Sequence, residues 1–518
     1  MKLTFLLALL AAFSAGVHAE ENRYGTYRFD FPLERPLDLS AAAGVSFRLK
    51  CASVEGMTDC WLLFKSGDGF WRARTDVPAK GGEWTDAVVL RDDVRLYHWR
   101  RHISSFEVKE HVASEDIPDW RRVTGFQVSV ALGPGVPPPA DDAVVAVGFE
   151  PVAESSPRVA EARTHRAARE REMLSRVRTL RPVAGERRFM FARVRGLGND
   201  WDASCRLLAA HGVTDVVPLV SSDGYAYYET KLEPVSPLVR RDGDALRDCL
   251  KACRKHGLKY HPWRICWTLN YTAPEEIVAA MRRAGRLQRT FDGGELKWLC
   301  PSHPENVRRE VECAVELAQR GVDGILLDHF RFDDETVCFC DRCRAGFERT
   351  LGRTVANWPR DVRADAGLAR KWNAHRADVL TGILRTIRLR IRTVAPKVEL
   401  FACPGSTAAW KEECAQDWPR WCREDLVDRV FTMSYFPSAE RLRGALDEQC
   451  ALLGNDRRKL CPLVAFACGK VPFVDPDVMC DEIREVRATG ARDIGFFCLT
   501  EYAPYMLKCL REGPLADR

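Results

Sequence analysis

The sequence predicts an α/β protein, a (β/α)8 TIM barrel preceded by an N-terminal β-sandwich of the jelly-roll kind. Three observations carry this expectation. From residue 186 onward, apolar strand-like stretches alternate with helical patterns, as strand–helix repetition requires. Residues 22–152 instead hold short stretches with period-two alternation. Finally, no Gly-rich phosphate loop follows the first barrel strand: Gly196-Leu197-Gly198 runs into Asn199-Asp200, which speaks against a doubly wound nucleotide-binding sheet, the runner-up.

The chain opens with Lys2, an apolar stretch over residues 3–13 and the small-residue ending Val17-His18-Ala19. This is the pattern of a secretory signal peptide, residues 1–19, and predicts an exported protein, periplasmic or extracellular. No later stretch is long and apolar enough to predict a transmembrane segment. The 518 residues are 46% hydrophobic and 29% charged, with a formal net charge of +5. Basic and acidic residues are interspersed, so nucleic acid is not an expected partner.

Within residues 22–152, Val45, Phe47, Leu49 and Cys51 alternate with Ser46, Arg48 and Lys50, which predicts a half-buried strand. Residues 61–64 and 70–74 flank Ser66-Gly67-Asp68-Gly69, a hairpin signal. Phe126, Val128 and Val130 alternate again, and residues 144–149 form a last strand. Such modules in secreted chains often bind sugars, and Trp61, Trp71, Trp84 and Trp99 are either stacking faces or core residues. Cys51 and Cys60 stand alone before residue 200, either paired as a disulfide or as two thiols.

Residues 153–185, rich in Arg, Glu and Ala, read as a solvated helical linker. The barrel follows over 186–518, with expected strands at 189–194, 215–220, 258–267, 322–328, 398–403, 427–435, 460–466 and 493–499. Leu380, Ile383, Leu384, Ile387 and Ile391 trace one helix face. Val307, Val311, Ala314, Val315 and Ala318 trace another, entered through Ser302-His303-Pro304-Glu305, which fits a capping box with an early proline.

In such barrels function gathers where the strands end. Strand two ends near Asp223, strand three carries His261, Trp263, Arg264 and Trp267, strand four ends in Asp328-His329 with Arg331 beyond, strand six ends at Tyr435, and strand eight runs into Glu501. Carboxylates, hydrogen-bonding side chains and flat rings together suit a carbohydrate polymer or oligosaccharide as the partner. The rings cover sugar C–H faces, and the acids serve the glycosidic bond.

The segment PSHPENVRREVECAVELAQRGVDGILLDHFRF resembles glycosyl-hydrolase-like family 10, the YngK-type secreted barrel proteins. Pro301, Pro304, Val307, Arg308, Asp323, Gly324, Ile325, Leu327, Asp328 and Arg331 fit its pattern, KYHPWRICW is similar to its third-strand element, and VDRVFTMSYF to its sixth-strand motif. The resemblance extends over roughly residues 186–510 and implies a glycoside-hydrolase-type barrel acting on polysaccharide or peptidoglycan glycan. Against the chitinase-type pattern, position 330 is phenylalanine instead of the catalytic glutamate. Strand seven offers no carboxylate before Asp475, and Phe332-Asp333-Asp334 replaces the family's usual tail.

Asp328 is therefore the first candidate catalytic carboxylate, and Glu501 the second. One would act as acid and the other as nucleophile or base, with the apolar strand leading to Asp328 expected to raise its pKa. Asp223, His261, Trp263, Arg264, Trp267, His329, Arg331 and Tyr435 are expected to hold substrate, and no catalytic metal is expected. A non-catalytic glycan-binding barrel is the alternative, and a lyase stays open. Cys338, Cys340 and Cys343 are compatible with a structural zinc, a disulfide or free thiols. Three ligands with no evident fourth do not favour the metal, so no cofactor is expected.

Overall fold

The computed structural model describes residues 26–66, 69–75, 77–97, 119–133, 135–269, 273–436, 438–454, 456–466, 475–500 and 503–516. The expected signal peptide, Trp99 and Glu501 lie outside these residues. The chain divides near residue 173 into two compact units. The helix Pro157–Val177 runs across the division.

The N-terminal unit contains β1 (Thr26–Leu37), β2 (Gly44–Cys51), β3 (Met57–Ser66), β4 (Gly69–Thr75), β5 (Thr85–Leu90), β6 (Arg95–Tyr97), β7 (Val123–Leu132) and β8 (Val144–Val152). One antiparallel sheet runs β1-β7-β3-β4-β6 and another β5-β2-β8. The expected hairpin is present, with Ser66 opposite Gly69 across β3 and β4. Val45, Phe47 and Leu49 share one buried core with Phe126, Val128 and Val130. Across it Phe126 stacks on Phe149 with ring centroids 4.2 Å apart. Trp61 and Trp71 are buried, whereas Trp84 is 41% exposed and lies beneath the Arg48 guanidinium. Cys51 and Cys60 both lie in the core, and burial pushes the Cys51 thiol up to about 11, which makes it a poor nucleophile.

The second unit is built on eight parallel strands: Arg187–Ala192, Asp215–Ser222, Trp263–Ile265, Gly324–Asp328, Glu399–Cys403, Arg429–Val430, Leu463–Ala465 and Asp493–Leu499. The first six pair in chain order, the eighth joins the seventh to the first, and bridges Val430–Leu460 and Met433–Leu463 join the sixth to the seventh. The circuit closes, with helices between the strands. This is the topology of a (β/α)8 barrel.

Strand alternation sorts side chains into two cores. Phe189, Phe191, Val217, Leu219, Trp263, Leu326, Phe401, Phe431 and Leu463 fill the barrel interior. Met190, Val216, Ile325, Leu327, Leu400 and Val464 face the helices instead, where Leu380, Ile383, Leu384, Ile387 and Ile391 of the helix Ala366–Val394 meet them. The helix Pro304–Gln319 begins as expected with Pro304, but His303, not Ser302, caps it by accepting the Glu305 N–H at 3.2 Å.

Below the interior rings lies a layer of charge at the strands' N-terminal ends. Arg187 donates to Asp215 and to Glu399, His261 Nε2 lies 2.7 Å from Asp215 Oδ1, and Arg429 binds both Glu399 and Asp493. Gly324 leaves the space this layer needs. A Cβ there would stand 2.7 Å from His261 Nδ1 and 3.0 Å from the Phe401 ring. Gly324→Ala is therefore expected to destabilise the barrel by about 1–3 kcal/mol through overpacking, read as a lower urea midpoint at unchanged m-value.

Candidate functional site

Asp328 closes the fourth barrel strand on the same parity as Leu326, so its carboxylate projects into the C-terminal end of the barrel interior. It is 4% exposed. Trp263 Nε1 donates to Oδ2 at 2.9 Å, the His329 backbone N–H donates to Oδ1 at 2.7 Å, and His329 Nδ1 lies 3.3 Å from Oδ1. Burial alone would raise this carboxyl, but the His329 imidazole, its N–H and the Trp263 indole together bring it below the ordinary carboxylate range. The expectation of a raised Asp328 pKa is thereby corrected: the strand desolvates the group, but the donors outweigh that.

The loop after Asp328 builds one wall of the rim. The Arg331 guanidinium lies over the Trp298 ring at 4.7 Å and faces Trp410 at 5.9 Å, while Trp298 also packs on His329 at 5.6 Å. Arg331 Nη1 donates to the backbone carbonyls of Phe332 and Asp333 and lies 3.8 Å from Asp333 Oδ1. The Asp333 carboxyl behaves oppositely to Asp328. Burial raises it, with Asp334 adding to the rise, and Arg331 and His329 do not cancel the effect. Two carboxyls five positions apart in sequence are thus shifted in opposite directions.

Backbone conformation marks the same rim. Asn199, Asp223 and His329 have φ of 59°, 56° and 51°, the left-handed region that costs a non-glycine residue about 1–3 kcal/mol and gathers at functional sites. They follow strands one, two and four. The Tyr227 hydroxyl hydrogen-bonds Asp223, and burial first, then Asp223, pushes that phenol well above its usual range. Tyr435 follows the sixth strand and packs on Phe497 with centroids 5.2 Å apart.

Asp223, Trp263, Asp328, His329, Arg331 and Tyr435 therefore belong to the strand ends as expected, and three other expected ligands do not. His261 sits at the opposite, N-terminal end, held by Asp215 and near Arg187, because it directly follows the short strand Lys259–Tyr260, level with the charged layer. Arg264 points into the helix layer and is consumed by Glu310 and Glu233, with Nε to Glu310 Oε2 at 2.9 Å and Nη1 to Glu233 Oε1 at 2.8 Å. Trp267 is fully buried in that same layer against Phe330. Trp298, Trp410 and Asp333 were not expected. Aromatic residues on the loops after strands three and five were the available signal for the first two.

A cleft of about 500 Å3 opens beside the first two strands, lined among others by Arg195, Asn199, Asp200, Trp201, Tyr227 and Asp242. Its carboxylates are already committed. Asp200 caps a helix, Asp202 binds Lys255 and His256, and Asp242 pairs with Arg195. Asp328 does not line it, and the chemistry is better sought after strand four. Among the described residues no helix is long and apolar enough to cross a membrane.

Comparison with known proteins adds to this geometry. An S-layer-related protein of Niallia circulans is 28% identical over 255 residues, covering 42% of this chain, and the chain spans only 16% of that relative's length. Among solved structures, the catalytic domain of β-amylase from Paenibacillus polymyxa aligns with a TM-score of 0.46 at 10% identity, covering 64% of this chain and 96% of that one. A β-galactosidase from Bacillus circulans sp. alkalophilus aligns at 0.45 and 14% identity, over 60% and 50% of the two chains. The spore cortex-lytic enzyme SleL of Bacillus megaterium aligns at 0.38 and 9%, over 64% and 76%. The family model described as glycosyl hydrolase-like 10 matches residues 199–458, half of the chain, taking in barrel strands two to six and the Asp328 rim. The chain belongs to the glycosyl hydrolase-like 10 family.

Proposed function

We propose that this chain is an exported glycoside hydrolase that cleaves polysaccharide or peptidoglycan glycan at the strand-four rim. The observation that carries the reading is the split between Asp328 and Asp333, whose carboxyls share one loop but are shifted in opposite directions, the first down and the second up, which is how acid and base roles are divided between like groups. Asp328 serves as the ionised partner, as nucleophile or base, and Asp333 as proton donor to the leaving oxygen. Trp298 and Trp410 supply flat faces for pyranose rings, and Arg331, His329, Asp223 and Tyr435 supply hydroxyl contacts. Glu501, the second carboxylate expected from the sequence, is the competing donor, and its replacement decides which residue donates. The family assignment supports a glycan-related role, and the two antiparallel sheets sharing one core support an N-terminal β-sandwich as an accessory module.

The pH dependence tests the assignment. Asp328 must be ionised, so activity falls as pH drops through its lowered pKa. Asp333 must be protonated, so activity falls as pH rises through its raised pKa. A bell with an acidic optimum is expected in kcat/KM, measured by reducing-sugar release from a panel of β-glucan, galactan, starch and peptidoglycan glycan. Asp333→Asn should abolish the alkaline limb along with most of the rate, and Glu501→Gln should keep it. The reverse pattern would transfer the donor role to Glu501.

A second reading, a glycan-binding barrel without turnover, is favoured by the engagement of both Asp328 oxygens within the protein. Binding of the panel glycans with no release by the wild type would select it.

A further inference from the structure

Four cysteines from two separated stretches of chain converge behind the strand-four loop. The sulfurs of Cys300, Cys338, Cys340 and Cys343 all lie within 4.8 Å of one another. Cys300 Sγ is 3.8 Å from Cys340 Sγ and 3.5 Å from Cys343 Sγ. These separations decide between chemistries. A disulfide needs sulfurs about 2.05 Å apart. A tetrahedron of thiolates around zinc, with Zn–S of about 2.3 Å, has edges of about 3.8 Å. We propose that Cys300, Cys338, Cys340 and Cys343 form a structural zinc site.

The surroundings suit thiolates. The Arg289 backbone N–H donates to Cys338 Sγ at 3.2 Å, and Ser302 Oγ lies 3.3 Å from Cys343 Sγ. Cys340 stands at the N-cap of the helix Asp341–Leu351, where the helix dipole favours negative charge. Hydrogen bonds of this kind orient the sulfurs around an ion. Four sulfur ligands leave no open position, so the metal is structural and takes no part in bond cleavage.

Its position gives it a task. Cys300 directly follows the strand Glu295–Leu299, which carries Trp298, and the other three ligands follow the loop that carries His329, Arg331 and Asp333. One ion therefore ties the loop after strand three to the loop after strand four, and holds Trp298 against Arg331 and His329. A second group, Cys205, Cys249 and Cys253, brings only three ligand atoms together among the described residues. It serves as the internal control.

Metal analysis of the full-length protein purified without added zinc and dialysed against metal-free buffer is the test. About one zinc per chain is expected, retained in Cys249→Ala and lost in Cys300→Ser. Should Cys300→Ser fail to fold, cobalt exchanged into the wild type reads the same site: a tetrahedral d–d envelope and a near-ultraviolet sulfur-to-cobalt band of four-thiolate intensity are expected. Absence of zinc with a Cys300–Cys343 or Cys340–Cys343 disulfide in mass mapping would overturn the proposal. So would full zinc retention in Cys300→Ser, or a cobalt spectrum with fewer thiolates. None of these outcomes depends on hydrolase activity.

Discussion

Asp328→Asn is expected to lower kcat on the cleaved glycan by about 10²–10⁴-fold, with glycan affinity changed by only a few-fold. The substitution keeps the shape of the side chain, and its single amide oxygen still accepts from either the Trp263 indole or the His329 N–H, though no longer from both. What disappears is the negative charge those donors stabilise. A residue that merely ordered the rim would show the converse: turnover at saturating glycan near wild type, with the one lost hydrogen bond read as weaker glycan binding. Reducing-sugar release at saturating glycan, with calorimetric affinity measured alongside, separates the two. Equal turnover in both proteins removes Asp328 from the chemistry.

The other large effect is expected at the opposite end of the barrel, where no substrate is involved. Asp215 is buried between Arg187 and His261. Burial would raise its carboxyl, but His261 and Arg187 bring it far below the ordinary range. Replacing one member of a buried pair strands the other, at a cost of about 3–5 kcal/mol. Asp215→Asn should therefore lower barrel stability by that order in urea unfolding at neutral pH. The folded pKa is depressed, so the stabilisation is complete above the unfolded value of about 3.9 and is lost as pH falls toward the folded one. The wild type should thus lose stability in acid through this group, and the variant should lack that contribution. An unchanged midpoint at neutral pH would refute the assignment of this layer as the barrel's electrostatic clamp.

The barrel was legible because its strands are continuous apolar runs punctuated by charge. The eighth strand lies where its apolar run predicts, at Asp493–Leu499, and the fourth ends at Asp328 as its pattern requires. Which side chains serve the site was less legible, for a definite reason. Barrel strands are buried on both faces, so alternation of polarity no longer reports which face is which. Trp263 and Trp267 are chemically alike, yet one meets Asp328 and the other packs under a helix. Arg264 looked like a ligand because Glu233 and Glu310, which neutralise it, are remote in sequence. His261 looked like a rim residue because the expected third strand ran unbroken over 258–267. Pro262, which has no N–H to give, separates Lys259–Tyr260 from Trp263–Ile265 and leaves the histidine at the lower level. Cys300 was invisible as a fourth thiol because the hairpin ending at Leu299 folds it back onto the later cluster.

The segment Asp323-Gly324-Ile325-Leu326-Leu327-Asp328 thus divides its labour. Asp323 accepts the Tyr260 N–H, Gly324 makes room for an imidazole, and the three aliphatic residues fill the cores on either side. Only the last position faces the mouth. A relative that keeps the first five and changes the sixth would assemble the same scaffold with its reactive anion removed, so likeness along this strand vouches chiefly for the floor of the barrel.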